Sequence, residues 1–111
     1  MNEDLDMPFL QLVLSLQAGA MQHLGKIVSP VTGKVERDLA MAQGTINLLE
    51  MLQRKTQGNL TKDEQELLQH VLYELRLNFV DERSKEEVES STSQKASESN
   101  GENLSEPGEK T

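Results

Sequence analysis

The amino-acid sequence predicts an all-α fold with a disordered C-terminal tail, its three main helices lying at about residues 8–24, 35–56 and 62–80. Each of these segments repeats apolar side chains at helical spacing. A helix stop followed by a helix start lies at residues 57–61, between the second and third segments. Beyond residue 81 the composition changes to Ser, Glu, Lys and Asn, with few large apolar side chains. We therefore expect one small helical domain.

The turn at residues 57–61 is the most specific structural signal in the chain. Gly58 can adopt the left-handed conformation that ends a helix. Thr61 and Glu64 have the Thr-x-x-Glu spacing of a capping box, in which each side chain accepts a hydrogen bond from a free backbone N–H at a helix start. The sequence therefore predicts a helical hairpin here.

The first helix is predicted to begin at Pro8, which suits the first helical position, after a flexible lead-in over residues 1–7. It extends to about Leu24, and Gly25 can end it. Its apolar side chains cover about 200° of the helical wheel, far more than one partner helix hides. We therefore expect this helix to be buried on more than one side.

Residues 26–34 are predicted to form an irregular connection, because Pro30 and Gly33 interrupt it. The second helix, at about residues 35–56, has two apolar rows. The first row is Val35, Leu39, Ala42, Ile46 and Leu49, and the second is Met41, Leu48 and Leu52. Gly44 inside this helix costs about 1 kcal/mol relative to Ala, which favours close approach of another helix as its role.

The third helix has one ordinary apolar stripe, and Asp63 and Glu64 in its first turn favour the positive end of the helix dipole. The helical domain is then predicted to end at about residue 81. Residues 82–111 are Ser- and Glu-rich and cannot bury enough apolar surface to offset the entropy of ordering. We therefore expect a disordered acidic tail there, with a helical extension to about Val88 as the alternative for its first residues.

Composition narrows the classes of function. The chain has no cysteine, so it has neither disulfides nor thiolate-held zinc, and this fits a cytoplasmic location. The net charge is −8 and no basic stripe is present, which argues against nucleic-acid binding. The most apolar segment is too short and too polar to span a membrane, and the acidic N-terminus is unlike a secretory signal.

Several motifs carry a family resemblance: Phe9-Leu10-x-Leu-Val, Leu24-Gly25, Asp38-Leu39-Ala40-x-Ala42, Ile46-x-Leu48-Leu49-x-Met51-Leu52, Lys55-Thr56-x-Gly58-Asn59-Leu60-Thr61 and Leu75-Arg76-Leu77. On these motifs residues 7–81 resemble a small bacterial family of short helical proteins known only as a domain of unknown function. The Lys-Thr-x-Gly-Asn-Leu run is the most specific of them. The resemblance implies an all-helical fold and a bacterial source, and it brings no activity and no catalytic residues.

Residues that could perform chemistry are sparse. His23 and His70, together with a carboxylate such as Glu66 or Glu74, could supply three metal ligands, but their spacing is not that of a metal site, and solvated histidines explain them as well. An enzyme would need a site shared between protomers, with His23, His70, Glu66 and Arg76 as the candidates. We predict a protein that is not an enzyme and has no catalytic residue, metal or cofactor.

Anion binding is an alternative function. The sequence Thr32-Gly33-Lys34 lacks the remainder of a P-loop, because valine stands at positions 28 and 35. Lys26, Lys34 and Arg37 could still meet an anion or small ligand at the 26–37 connection, near the start of the second helix. Solvated charges are the other explanation for these residues.

Apolar surface is the feature that remains. The first two helices present more apolar rows than three helices readily hide, which predicts self-association into a homo-oligomer by coiled-coil-like packing. The alternative is that all rows close into one monomeric core. The leading function is a non-enzymatic interaction protein, such as an adaptor or accessory subunit, with an unidentified protein partner. The residues predicted to mediate self-association are Phe9, Leu12, Val13, Leu16, Ala20, Met41, Leu48 and Leu52.

Overall fold

The computed structural model of the chain describes residues 5–102, with side chains over residues 5–91. Five elements follow one another: α1 (Met7–His23), β1 (Leu24–Val28), β2 (Val35–Arg37), α2 (Leu39–Lys55) and α3 (Lys62–Glu102). The three helices pack against one another, and the two strands form an antiparallel hairpin beside α1 and α3. The fold is therefore mainly helical, and the prediction of three helices is confirmed.

α1 has nearly the predicted bounds. Asp6 is its N-cap and Pro8 lies in its first turn, while Leu24 is the C-cap residue. Gly25 follows with a φ of 77°, the left-handed conformation that ends a helix. The stop predicted at Gly25 is therefore confirmed. The first four residues of the predicted lead-in lie outside the described part of the chain.

The prediction of a purely helical fold is wrong at residues 26–37, where a β-hairpin replaces the irregular connection. Ser29 N–H donates to the Lys34 carbonyl at 2.9 Å, and Gly33 N–H donates to the Ser29 carbonyl at 2.8 Å. The flanking residues include several β-branched side chains, which favour extended backbone. α2 begins only at Leu39, because the Asp38 carboxylate accepts the Met41 N–H at 3.2 Å and caps the helix there.

The predicted helical turn between α2 and α3 is confirmed. Gly58 has a φ of 85°. Thr61 Oγ1 accepts the Glu64 N–H at 3.2 Å, and Glu64 Oε1 accepts the Thr61 N–H at 3.0 Å. The second carboxylate oxygen of Glu64 accepts the Asp6 N–H at 2.8 Å. One buried carboxylate therefore serves the starts of both α3 and α1.

α3 passes the end predicted near residue 80 and continues to Glu102. Glu, Lys and Arg have good helix propensity, and Glu82 and Glu89 are both ion-paired to Arg37 of β2. These contacts prolong the helix into the segment predicted as a tail. The last part of that segment, residues 103–111, lies outside the described residues.

One apolar core holds the helices and β1 together. Each of its members is at most 2% exposed. They are Val13 and Ala20 of α1, Leu24 of β1, Ala42, Ile46 and Leu49 of α2, and Leu68, Val71, Leu72 and Leu75 of α3. The predicted inner rows of α2 and α3 are therefore the rows that form the core, except that Val35 lies in β2 and is 60% exposed.

Candidate functional site

Five of the eight residues predicted to mediate self-association contribute to the chain's own core. Val13 and Ala20 are fully buried. Phe9, Leu16 and Leu52 are partly buried and pack against the core. The core therefore uses much of the wide apolar face of α1, as the monomeric alternative requires.

The other three residues remain open to solvent. Leu12 is 47% exposed, Met41 53% and Leu48 49%. Large apolar side chains at this exposure are candidates for contact with another molecule. Whether they form one patch depends on how α1 and α2 are oriented relative to α3.

On α1, the Gln17 side chain identifies the side that faces α3. Gln17 Nε2 donates to Glu74 Oε1 at 3.4 Å. Leu12 lies about 140° around the helix from Gln17, with the buried Val13 between them. Leu12 is therefore on the side of α1 that is turned away from α3.

On α2, the Glu50 side chain identifies the side of the helix that faces α3. Arg76 Nη2 of α3 donates to Glu50 Oε2 at 2.8 Å. Met41 and Leu48 lie about 160–180° around α2 from Glu50. Since α1 and α2 pack directly on each other, both sets of apolar side chains open on the face opposite α3. We call this face the α1–α2 surface, defined by the exposed Leu12, Met41 and Leu48 together with Phe9, Leu16 and Leu52, which are partly buried against the core.

The α1–α2 surface is almost free of charge in a chain of which 27% is charged. α1 contains no Asp, Glu, Lys or Arg, and the first charged residue within α2 is Glu50. Beyond the chain neighbours and backbone of their own helices, Gly19 and Gly44 have no heavy atom within 4 Å of the position that a Cβ would take. Within the described chain no other element contacts the Cβ position of Gly44, so the close packing that the sequence predicts there is not found.

The basic residues of the 26–37 connection are paired with carboxylates of α3. Lys26 Nζ lies 2.7 Å from Glu82 Oε2 and 3.0 Å from Asp81 Oδ2. Arg37 Nη2 lies 3.0 Å from Glu82 Oε1, and Arg37 Nη1 lies 2.8 Å from Glu89 Oε1. We call these residues the hairpin ion cluster. The cluster attaches the β-hairpin to α3. Lys34, which is exposed, does not belong to it.

The cluster shifts the ionisation of its members in a consistent direction. Hydrogen bonds from Lys26, followed by those from Lys85 and Arg37, hold the pKa of the buried Glu82 carboxyl below its ordinary value of 4.5. Hydrogen bonds to Glu82 and Asp81 raise the pKa of Lys26 above 10.5. Arg37 is likewise held in its charged form, chiefly by Glu89. All of these groups are therefore ionised at neutral pH.

The residues proposed for a shared enzymatic site have other roles in the described chain. His70 Nε2 pairs with Glu74 Oε2 at 3.2 Å, and Arg76 pairs with Glu50. His23 is the last residue of α1, and within the described chain its Nδ1 is buried without a hydrogen-bond partner. Glu66 is exposed on α3. Among the described residues, no group of three or more His, Cys, Asp or Glu side chains could hold a metal ion.

An apolar row on the outer side of α3 is absent from the predictions. Tyr73, Leu77 and Val80 are 64%, 58% and 50% exposed. Their four-three spacing signals a second helical row, on the side opposite the buried Leu75. The sequence shows the spacing, but the stronger stripe through Leu68 and Leu75 conceals it.

Comparison with known proteins identifies a family and nothing more detailed. A family model described as a domain of unknown function (DUF1844) matches residues 6–82. No curated protein and no solved structure matches the chain. Over residues 5–102, the helices include none with the length and apolarity needed to cross a membrane.

Proposed function

We propose that this chain, which belongs to the family described as a domain of unknown function (DUF1844), is a non-enzymatic helical interaction protein that self-associates through the α1–α2 surface. A role as an adaptor or accessory subunit follows from this proposal. A cytoplasmic location and a bacterial source also remain predictions, the first from the absence of cysteine and the second from the resemblance of the turn motifs.

A single observation carries the proposal: large apolar side chains stay exposed on a face that is almost uncharged. Leu12, Met41 and Leu48 are each about half exposed on adjacent helices. Burying such a face removes apolar area from water without stripping hydration from charged groups. Removing water from this face therefore costs less free energy than removing it from the charged parts of the protein surface.

A second copy of the chain is a suitable partner for this face. A two-fold contact places the same surface on both molecules, so a surface with a single sign of charge would repel itself. The chain has a net charge of −8, yet the α1–α2 surface has almost none. Contact through this surface keeps the acidic residues of the two copies apart.

Gly44 supports the same partner. Glycine within a helix destabilises it by about 1 kcal/mol relative to alanine, and no other element of the described chain contacts the Cβ position of Gly44 in return. A helix of another copy could approach the backbone there, as small residues at helix contacts permit. The cost of this glycine is then offset in the assembly and not within one chain.

The alternative functions receive less support from the geometry. An anion at the 26–37 connection would have to displace the carboxylates that hold Lys26 and Arg37. A shared enzymatic site would have to draw His70 and Arg76 away from Glu74 and Glu50. We therefore favour contact between proteins over either of these functions.

Charge placed on the α1–α2 surface is expected to separate the copies. The double variant Leu12→Glu/Leu48→Glu should raise the dissociation constant by more than about tenfold, because two carboxylates per copy would be buried without partners. Light scattering coupled to size exclusion, over a concentration series of the full chain, measures the mass. Leu77→Glu, on the outer row of α3, is the matched control and should leave the mass unchanged. A wild-type chain that stays monomeric at every concentration would refute the proposal.

Gly44→Ala is expected to have opposite effects on the single chain and on the assembly. It should stabilise the dissociated chain by about 1 kcal/mol, because alanine is the better helix former and the site has room for a methyl group. It should also weaken self-association, because the methyl group meets the partner helix. Thermal melts at low concentration and sedimentation at high concentration measure the two effects. A gain in stability with an unchanged dissociation constant would remove Gly44 from the interface.

A further inference from the structure

A cleft of about 290 Å³ opens where α2 ends and α3 begins. The fully buried Leu68 and the partly buried Leu60 give it an apolar floor. Its remaining lining consists of glutamine side chains from both helices and the turn between them. We call it the glutamine cleft, comprising Gln53, Gln57, Leu60, Gln65, Leu68 and Gln69.

The four side-chain amides are available for a ligand. Each offers an NH₂ donor and a carbonyl acceptor. Two glutamines elsewhere in the chain use their amides within it: Gln17 donates to Glu74 at 3.4 Å and Gln43 donates to Asn47 at 2.8 Å. Within the described chain the four amides of the cleft have no such protein partner. The cleft therefore gathers unengaged donors and acceptors around two leucines.

The lining restricts the chemistry of a ligand. It contains no charged side chain, so a charged group would lose hydration without gaining a counter-ion. It contains no aromatic ring on which a base or a sugar could stack. The volume lies at the lower end of the range for pockets that enclose small molecules, about 300–1,000 Å³. A short uncharged group with an apolar part fits these limits.

From this lining we infer that the glutamine cleft binds an extended, uncharged peptide segment of another protein. One aliphatic side chain of the segment rests on Leu60 and Leu68. The peptide groups on either side of it exchange hydrogen bonds with the glutamine amides, since a primary amide presents the same donor and acceptor as a peptide bond. This is a recognition site for a partner, beyond the self-association proposed above.

The glutamine cleft is separate from the α1–α2 surface. Gln53 is adjacent in sequence to Leu52, so their side chains point about 100° apart around α2. The two sites therefore face different directions around α2. This separation allows the two sites to be tested independently.

The test uses the full chain labelled with ¹⁵N, whose glutamine NH₂ signals report on the cleft directly. N-acetyl-leucine N-methylamide is the probe, because it carries one aliphatic side chain between two peptide groups. N-acetyl-glycine N-methylamide and glycerol are the comparison compounds. We expect saturable shifts of the NH₂ signals of the four cleft glutamines with the leucine probe. The glycine compound, which lacks the side chain, should bind at least about fivefold more weakly.

Substitutions locate the binding. Gln65→Glu/Gln69→Glu should raise the dissociation constant of the leucine probe by at least about fivefold. Two NH₂ donors are lost, and a buried peptide group meets negative charge. Gln11→Glu, on an exposed face of α1, should leave binding unchanged. Both changes are at exposed positions, and a melt confirms folding. Absence of saturable shifts, equal binding of glycerol, or equal weakening by Gln11→Glu would each overturn the inference.

Discussion

Leu75→Ala is expected to lower the free energy of unfolding by about 3 kcal/mol, the typical loss when a fully buried leucine is truncated. Leu75 is 0% exposed and belongs to the apolar core. A domain of this size holds only about 3–5 kcal/mol from a single core. The variant should therefore be largely unfolded near physiological temperature, as urea titration followed by circular dichroism would measure.

A matched control lies two residues further along α3. Leu77 is 58% exposed on the outer side of the helix, so Leu77→Ala removes the same atoms without leaving a cavity. Its effect should stay within about 0.5 kcal/mol. Comparable losses for the two variants would mean that Leu75 is not part of a tightly packed core.

Glu82→Gln is expected to lower the free energy of unfolding by about 2 kcal/mol, because Lys26 and Arg37 would keep their charge while losing their shared buried carboxylate. Both cations are about one fifth exposed, so water compensates for part of the loss. Glu86→Gln is the control, at an exposed position one turn further along α3. Thermal melts at neutral pH compare the two variants. Equal, small effects would show that the hairpin ion cluster does not stabilise the fold.

The effect of Glu82→Gln should depend on pH in one direction. The pKa of Glu82 is lower in the folded chain than its ordinary value of 4.5. Its ion pairs therefore contribute fully above pH 4.5, and the contribution is lost as pH falls through the folded pKa. The difference in melting temperature between wild type and variant should be constant near neutral pH and shrink below pH 4.5. A difference that grows on acidification would contradict this assignment of charges.

The helices are predictable because their signals are local. Gly58, Thr61 and Glu64 specify the turn between α2 and α3 through their own backbone geometry and hydrogen bonds, and the structure contains both bonds of the capping box. The stop at Gly25 is of the same kind. Such signals require no knowledge of the rest of the fold.

The β-hairpin and the full length of α3 are not predictable in this way, because distant residues stabilise them. Pro30 and Gly33 indicate only a break in the helix, and the strands on either side are short. Lys26 and Arg37 are 45 or more residues away from the α3 carboxylates that bind them. Helical periodicity contains no information about that pairing.

The candidate site was predictable only in part for a related reason. Helical spacing groups Leu12, Leu16 and Leu48 as apolar residues of two wide faces. It does not separate Leu16, which the core partly covers, from Leu12 and Leu48, which stay half exposed. The position of α3 decides which of these residues are covered and which stay exposed. Contacts such as that of Gln17 with Glu74 show where α3 lies.

The bond from Asp6 N–H to Glu64 also has a consequence for the order of folding. The two residues are 58 positions apart, and α2 with α3 is the more local pairing. Contacts between residues distant in sequence must overcome a larger loop-closure entropy, so the helical hairpin should form first. The Glu64 carboxylate is then already positioned on α3 when the Asp6 N–H at the start of α1 donates to it. The N-terminal helix is accordingly expected to dock last and detach first, and amide exchange should be faster there than in α2 and in the part of α3 that packs against it.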